Sequence, residues 1–144
     1  PFLAHEDSNF YPDLERRKNQ QLVAEGTIRA YGLAKKYGIK TGWGTDILFN
    51  PKNTVTQGRQ LAKLTRFYDP LTVLHQGTGL NGELLALSGD RNPYPGVLGR
   101  IAPGAWADLL VVDGDPNSNL DFLGDPDTHL RVIMKGGKIY KNTL

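Results

Sequence analysis

The first pattern along the chain is a stripe of apolar and small residues at helical spacing between Leu14 and Tyr37. The stripe consists of Leu22, Gly26, Ala30, Leu33 and Tyr37, and charged residues occupy the opposite face. This period is typical of an amphipathic helix. Gly38 follows the stripe, and glycine commonly ends a helix. The pattern therefore predicts one long helix that packs on one side.

A short extended stretch follows this helix and leads to a carboxylate. Ile39 to Gly42 predicts a strand, and Asp46 comes four residues later. In βα-repeat barrels the carboxyl ends of the strands face the mouth, where catalytic groups lie. Asp46 is therefore a candidate catalytic carboxylate. The residues alone leave open the alternative that it is an N-cap of the next helix.

Capping signals predict three further helices before residue 90. Thr54 and Gln57 have the spacing of a capping box and predict a helix to about Phe67. Asp69-Pro70 offers an N-cap followed by a proline at the first helical position. The third predicted helix is a short buried one, Leu80 to Leu87, which ends at Gly89.

The second part of the chain has strand and turn patterns. Val97 to Ile101 predicts a strand, and Ala107 to Asp113 is a nearly continuous apolar run that predicts a strand covered on both faces. Gly136-Gly137 lies between two further strand patterns and predicts a two-residue hairpin. We therefore place a domain boundary near residue 90, with mostly helix in 1–89 and mostly strand in 90–144.

Composition limits the kinds of partner and metal site. The chain has 144 residues, a formal charge of +2 and no cysteine. Such a small charge predicts no nucleic-acid partner, and no apolar run approaches the roughly 20 residues that cross a bilayer, so we predict no membrane partner. Without thiolates, any metal must be held by histidine, carboxylate or other oxygen and nitrogen ligands, and the compartment stays open.

Few other residues suggest chemistry. His5 precedes Glu6-Asp7, and this cluster either lines a pocket, contacts a metal or is simply solvated. His75 and His129 lack a partner at the spacing of a zinc pair, so we expect structural roles. We expect Trp43 and Trp106 to be core aromatics. The residues alone support one candidate catalytic carboxylate, Asp46.

Several motifs together resemble the C-terminal part of the metal-dependent amidohydrolase superfamily. They are Gly44-Thr45-Asp46, Asp69-Pro70-Leu71, the turn Gly77-Thr78-Gly79-Leu80-Asn81, the run Leu98-Gly99-Arg100-Ile101-Ala102-Pro103-Gly104-Ala105-Trp106-Ala107-Asp108-Leu109, and the closing hairpin around Gly136-Gly137. The similarity is nearest to imidazolonepropionase-like and Xaa-Pro dipeptidase-like members. Because the chain begins with Pro1, we also expect a fragment or a processed product.

The resemblance implies an α/β fold in which residues 1–89 are the last helices and strand of a (β/α)8 barrel and residues 90–144 are the C-terminal strands of a small β-sandwich. It further implies that Asp46 is the eighth-strand aspartate, which binds a divalent metal, expected to be zinc, and shuttles a proton. The family's other ligands, a His-x-His pair among them, are not found in this sequence. Most ligands are therefore expected outside this chain.

The function that the resemblance implies is hydrolysis of an amide-like C–N bond, in a dipeptide or a cyclic amide, by metal-activated water. The chain alone is expected to be inactive and to associate with a complementary N-terminal chain or with copies of itself. His5, Tyr11 and Trp43 are the local candidates for substrate contact. The alternatives are a deaminase of the same family and a non-catalytic interaction or structural module.

Overall fold

The computed structural model describes residues 13–45, 47 and 51–144. Its α-helices are α1 (Leu14–Lys36), α2 (Gln57–Ala62), α3 (Pro70–Gly77), α4 (Gly79–Ala86) and α5 (Pro126–His129). Its strands are β1 (Leu109–Val112), β2 (Leu130–Lys135) and β3 (Lys138–Asn142). Short 3-10 turns cover Pro51–Thr56, Lys63–Arg66, Gly89–Arg91 and Asp121–Gly124. The fold is thus mixed helix and sheet.

The long predicted helix is confirmed as α1. The Asp13 side chain accepts a hydrogen bond from the Glu15 N–H at 2.8 Å and caps its start. The expected packing along the whole stripe is wrong for the described residues, because Leu22 is 65% exposed and Leu33 48%. Contact is made near the C-terminal end, where the Tyr31 ring stacks on Phe67 with a centroid separation of 4.7 Å.

The predicted strand from Ile39 to Gly42 is wrong. The segment is irregular, and no strand among the described residues pairs with it. A strand is defined by backbone pairing with a neighbour, whereas polar side chains of α3 and α4 supply the bonds to this segment.

The predicted capping box before α2 is also wrong. The Thr54 hydroxyl donates to the Pro51 carbonyl at 2.7 Å, and α2 starts without a side-chain cap. The reason is that the chain already turns as a 3-10 helix from Pro51, so the threonine bonds backwards within that turn. Helical structure continues through Arg66, close to the predicted end.

The other two helix predictions are confirmed. The Asp69 carboxylate accepts hydrogen bonds from the Thr72 N–H at 2.9 Å and from the Thr72 hydroxyl at 2.6 Å, with Pro70 in the first turn of α3. These bonds lower the pKa of Asp69, the hydroxyl being the largest cause. Helix α4 corresponds to the predicted Leu80 to Leu87 helix, but its expected burial is wrong, because Leu84 is 56% exposed and Leu87 82% in the described structure.

The main core lies between α2, α3 and the turn Asp121–Gly124. Its buried members are Ala62, Leu64, Val73, Leu120, Phe122 and Leu123. Residues on both sides of position 90 therefore share one hydrophobic cluster, and the proposed boundary there stays a prediction. Trp43 is partly buried and packs against this cluster, as expected of a core aromatic.

The sheet is antiparallel with the order β1-β2-β3. The hairpin between β2 and β3 is confirmed, because Gly136 and Gly137 have φ of 55° and 79°, the left-handed region that a primed two-residue turn requires. The run predicted to be covered on both faces is not, because Leu110 and Val111 in β1 are exposed among the described residues.

The loop before β1 differs from its prediction. Instead of a strand from Val97 to Ile101, Val97 forms an isolated bridge with Ala105. The reason is that Gly99 has φ of 69° and turns the chain against the Thr78 backbone. Trp106 is 38% exposed rather than buried in the core, and its indole N–H donates to the Pro95 carbonyl at 3.1 Å.

The described residues form neither a closed barrel nor a second sheet facing the first, so the barrel and sandwich assignments stay predictions. None of the helices in the described ranges is both long and apolar enough to cross a membrane.

Candidate functional site

The sequence predicted four site residues, of which the structure describes one. Asp46, His5 and Tyr11 lie outside the described residues. Trp43 lies within them, half-buried, in the segment that leads along the chain to Asp46. The geometry that can be built for the candidate site is therefore that of Lys40 to Thr45 and of the side chains that contact it.

Asn81 in α4 forms a paired hydrogen bond with the backbone of Trp43. The Trp43 N–H donates to Asn81 Oδ1 at 2.9 Å, and Asn81 Nδ2 donates to the Trp43 carbonyl at 2.8 Å. In an antiparallel ladder, two residues exchange the same pair of bonds through their backbones. A side-chain carboxamide thus replaces a neighbouring strand at this position.

Gly42 makes this approach possible. A Cβ at position 42 would overlap Asn81 Oδ1 and would lie 3.2 Å from Leu84 Cδ2. Gly44 differs, because a Cβ there would meet no atom within 4 Å. The close contact with α4 therefore accounts for the first glycine of the Gly42-Trp43-Gly44 motif.

Gln76 in α3 is a second buried amide that contacts this segment. Its side chain is enclosed, with the residue 2% exposed, and Nε2 donates to Thr41 Oγ1 at 2.6 Å. Its Oε1 has no hydrogen-bond partner within the described part of the chain. A buried amide oxygen without a partner is uncommon, and it leaves one free acceptor beside the segment.

Glu83 joins the segment to the loop that precedes β1. Its carboxylate lies 2.9 Å from Lys40 Nζ and 2.8 Å from Arg100 Nη2. The hydrogen bond from Lys40 is the main cause that holds the pKa of Glu83 below its ordinary value, and Arg100 acts in the same direction. All three side chains are solvent-accessible, so this network contributes little stability.

The described residues do not fit a metal centre by themselves. They contain no group of three or more histidine, cysteine, aspartate or glutamate side chains that could hold an ion. His129 Nδ1 lies 2.8 Å from the Asp113 carbonyl, a structural contact of the kind expected. The His75 ring lies against Gly79.

An apolar groove of about 790 Å³ lies away from this segment, between the sheet and α3. Its apolar lining includes Leu74, Ile101, Leu110, Val112, Ile133 and Met134. Among the polar lining residues, Asp108 is already engaged, because its Oδ1 accepts a hydrogen bond from the Gly136 N–H at 2.6 Å. The groove therefore has the character of a contact surface rather than of a catalytic centre.

Sequence reasoning did not identify Gln76, Asn81 and Glu83 as residues that hold the segment. A signal was present for Asn81, because asparagine is a poor helix former and lies inside a short helix between Gly79 and Gly82. A Cβ at Gly82 would come within 2.6 Å of the Leu98 carbonyl oxygen. Such small residues mark close packing of a helix against other segments.

Solved structures with a similar fold exist for nearly the whole of this chain. No family model matches the sequence, and no curated protein matches it. Among solved structures, an amidohydrolase crystal structure matches 99% of this chain with 30% sequence identity and a TM-score of 0.77, over 33% of its own chain. The A. niger ochratoxinase matches 99% of this chain with 23% identity and a TM-score of 0.72, over 30% of its chain.

A third similar structure is a prolidase complexed with N-methylphosphonate-L-proline, with 24% identity and a TM-score of 0.65 over 80% of this chain and 26% of that one. The chain thus spans about a third of the length of the first of these structures. Its fold is that of a part of an amidohydrolase structure. The expected likeness is confirmed at this level, while the imidazolonepropionase-like or dipeptidase-like subfamily stays a prediction.

Proposed function

We propose that this chain is the C-terminal part of a metal-dependent hydrolase that cleaves amide-like C–N bonds in a dipeptide or a cyclic amide. The observation that carries the proposal is the likeness of nearly the whole chain to part of an amidohydrolase structure. In this proposal residues 1–89 complete a (β/α)8 barrel and residues 90–144 contribute strands to a small β-sandwich. The exposed apolar faces of α1 and β1 support it, because they offer surface against which further elements would pack.

Asp46 is the residue of this chain to which we assign the chemistry. Its carboxylate would serve as one ligand of a divalent metal, zinc in the first instance, and would accept a proton from water and return it to the leaving amine. The metal supplies a bound water with a lowered pKa. Because a catalytic zinc site has three protein ligands, the other ligands come from outside this chain, and the chain alone is inactive.

The test is Asp46→Asn in the full-length protein. Loss of a general acid and base is expected to lower turnover about 100- to 10,000-fold on dipeptide and cyclic amide substrates, with the melting temperature retained. A chelator should abolish the wild-type activity and zinc should restore it. Asp90→Asn is a matched control, since Asp90 lies in the exposed turn Gly89–Arg91, and its turnover should equal that of the wild type. Near-normal turnover of a folded Asp46→Asn protein would remove Asp46 from the mechanism.

Two other functions give different results. A deaminase would release ammonia from its substrate, which a coupled assay detects.

A non-catalytic interaction module is favoured by the apolar groove beside β1, which is suited to contact with another protein surface. For this module, the purified material would have the mass of the chain, 15.9 kDa, and no bound metal. Co-purification of a complementary chain that carries zinc would favour the enzyme, and the same measurement would reveal a homo-oligomer.

A further inference from the structure

Three polar side chains of α3 and α4 hold the segment before Asp46, but they hold it in different ways. Gln76 bonds the Thr41 hydroxyl and Glu83 bonds the Lys40 ammonium, so both contact side chains that can rotate. Asn81 alone among them bonds the backbone in the described residues. We propose that Asn81 is a positioning residue for the Asp46 carboxylate, an inference that rests on the proposed function.

The paired bond restricts rotation as well as distance. Because Asn81 contacts both the N–H and the carbonyl of Trp43, the backbone of this residue cannot rotate without breaking at least one bond. Gly42 packs directly against the same amide, since a Cβ at this position would overlap the Asn81 oxygen. The direction in which the chain leaves Trp43 is therefore set by α4.

Helix α4 is itself fixed in place. The loop at Leu98 and Gly99 lies directly on the helix at Gly79 and Gly82. A Cβ at Gly82 would come within 2.6 Å of the Leu98 carbonyl oxygen, whereas a Cβ at Gly79 would be in ordinary contact with the Gly99 carbonyl oxygen at 3.6 Å. Asn81 lies between these two glycines. A substitution of Asn81 is therefore expected to change the position of the segment Lys40 to Trp43 and not that of α4.

The contact between Asn81 and Trp43 would act on the position of Asp46 through a short length of chain. Trp43 and Asp46 are three positions apart, with Gly44 and Thr45 between them, so their Cα atoms can lie at most about 11 Å apart. A misplacement of about 1 Å at a reacting group can lower a rate about 100-fold. Loss of the Asn81 contact is accordingly expected to act on the chemical step rather than on substrate binding.

The experiment compares Asn81→Ala and Asn81→Asp in the full-length protein. In Asn81→Ala, kcat should fall about 10- to 100-fold, with KM close to that of the wild type. Asn81→Asp retains the acceptor for the Trp43 N–H and loses the donor to the Trp43 carbonyl. Its kcat should therefore lie between that of Asn81→Ala and that of the wild type. Val132→Ala is the control for stability, since this buried residue of β2 is not part of the hydrophobic cluster against which Trp43 packs, and its kcat should stay normal well below its melting temperature.

Each outcome is decisive. If Asp46→Asn abolishes turnover while Asn81→Ala keeps a normal kcat, the positioning role is wrong and the proposed function stands. The role is also wrong if Val132→Ala at equal loss of stability lowers kcat as much. If Asp46→Asn keeps full turnover, the proposed function fails and the positioning role with it.

Discussion

Two regions of this molecule are held by opposite means. In the hairpin, β2 and β3 bond each other through their backbones across the turn at Gly136-Gly137. The segment from Lys40 to Trp43 has no strand beside it in the described chain, and side chains of α3 and α4 bond it instead. The hairpin depends on residues adjacent in sequence, whereas the segment depends on Asn81, 38 positions away.

This difference shows why one region was predictable and the other was not. A two-residue glycine turn contains its own information, because the conformation it requires excludes most other residues. The place of Ile39 to Gly42 directly after a long helix predicted a strand, but it did not indicate which groups would bond this segment. Substitutions in the hairpin and in the segment Lys40 to Trp43 should therefore change the free energy of unfolding independently of each other.

The largest effect is expected for Gly42→Ala. The new methyl group would overlap Asn81 Oδ1, so the contact must open and both hydrogen bonds weaken. We expect the free energy of unfolding to fall by about 3 kcal/mol, the upper end for overpacking, as measured by urea denaturation. Gly44→Ala is the matched control in the same segment and should change stability by less than about 0.5 kcal/mol. Equal effects of the two substitutions would contradict the described contact.

A smaller effect is expected for Gly136→Val in the hairpin. The left-handed conformation costs a residue with a β-carbon about 1–2 kcal/mol, and a branched side chain is least suited to it. Thermal unfolding would measure this loss. Gly136→Asn should be nearly neutral, since asparagine tolerates this conformation and Asn-Gly favours the same turn. A destabilised Asn variant would show that the turn has another geometry.

The smallest effect is expected for Glu83→Gln, and it depends on pH. Because the folded-state pKa of Glu83 is lowered, its contribution is present above the ordinary pKa of a glutamate, about 4.3, and is lost as the pH falls through the lowered value. The wild type should therefore lose more stability than the variant between about pH 5 and pH 3. Identical slopes of unfolding free energy against pH would rule out a contribution from this ion-pair network.

The parts of the fold that sequence predicted best are those determined by near neighbours. The Asp69 cap forms with Thr72, three residues away, and the long helix ends where Gly38 follows it. The Thr54 capping box failed although its spacing was correct, because a 3-10 turn from Pro51 already used the threonine hydroxyl. Local spacing predicts a cap only when the preceding chain is extended.

The candidate site was predictable to a smaller extent. A carboxylate after a predicted strand made Asp46 the candidate, and this assignment stays a prediction, whereas the motifs around Asp108 indicated the family likeness that the fold bears out. Asn81 and Gln76 were missed because their roles depend on which segment the fold places beside their helices. No periodicity in the sequence contains that information.

The two tryptophans lie in unlike surroundings. Trp43 packs against the core beside the Asn81 contact, and Trp106 is 38% exposed next to Tyr94, outside that core. Replacement of Trp106 by phenylalanine would leave one indole whose emission wavelength depends on how closely its segment is held. The molecule thus contains its own optical reporter, which would follow the opening of that contact in real time without an attached dye.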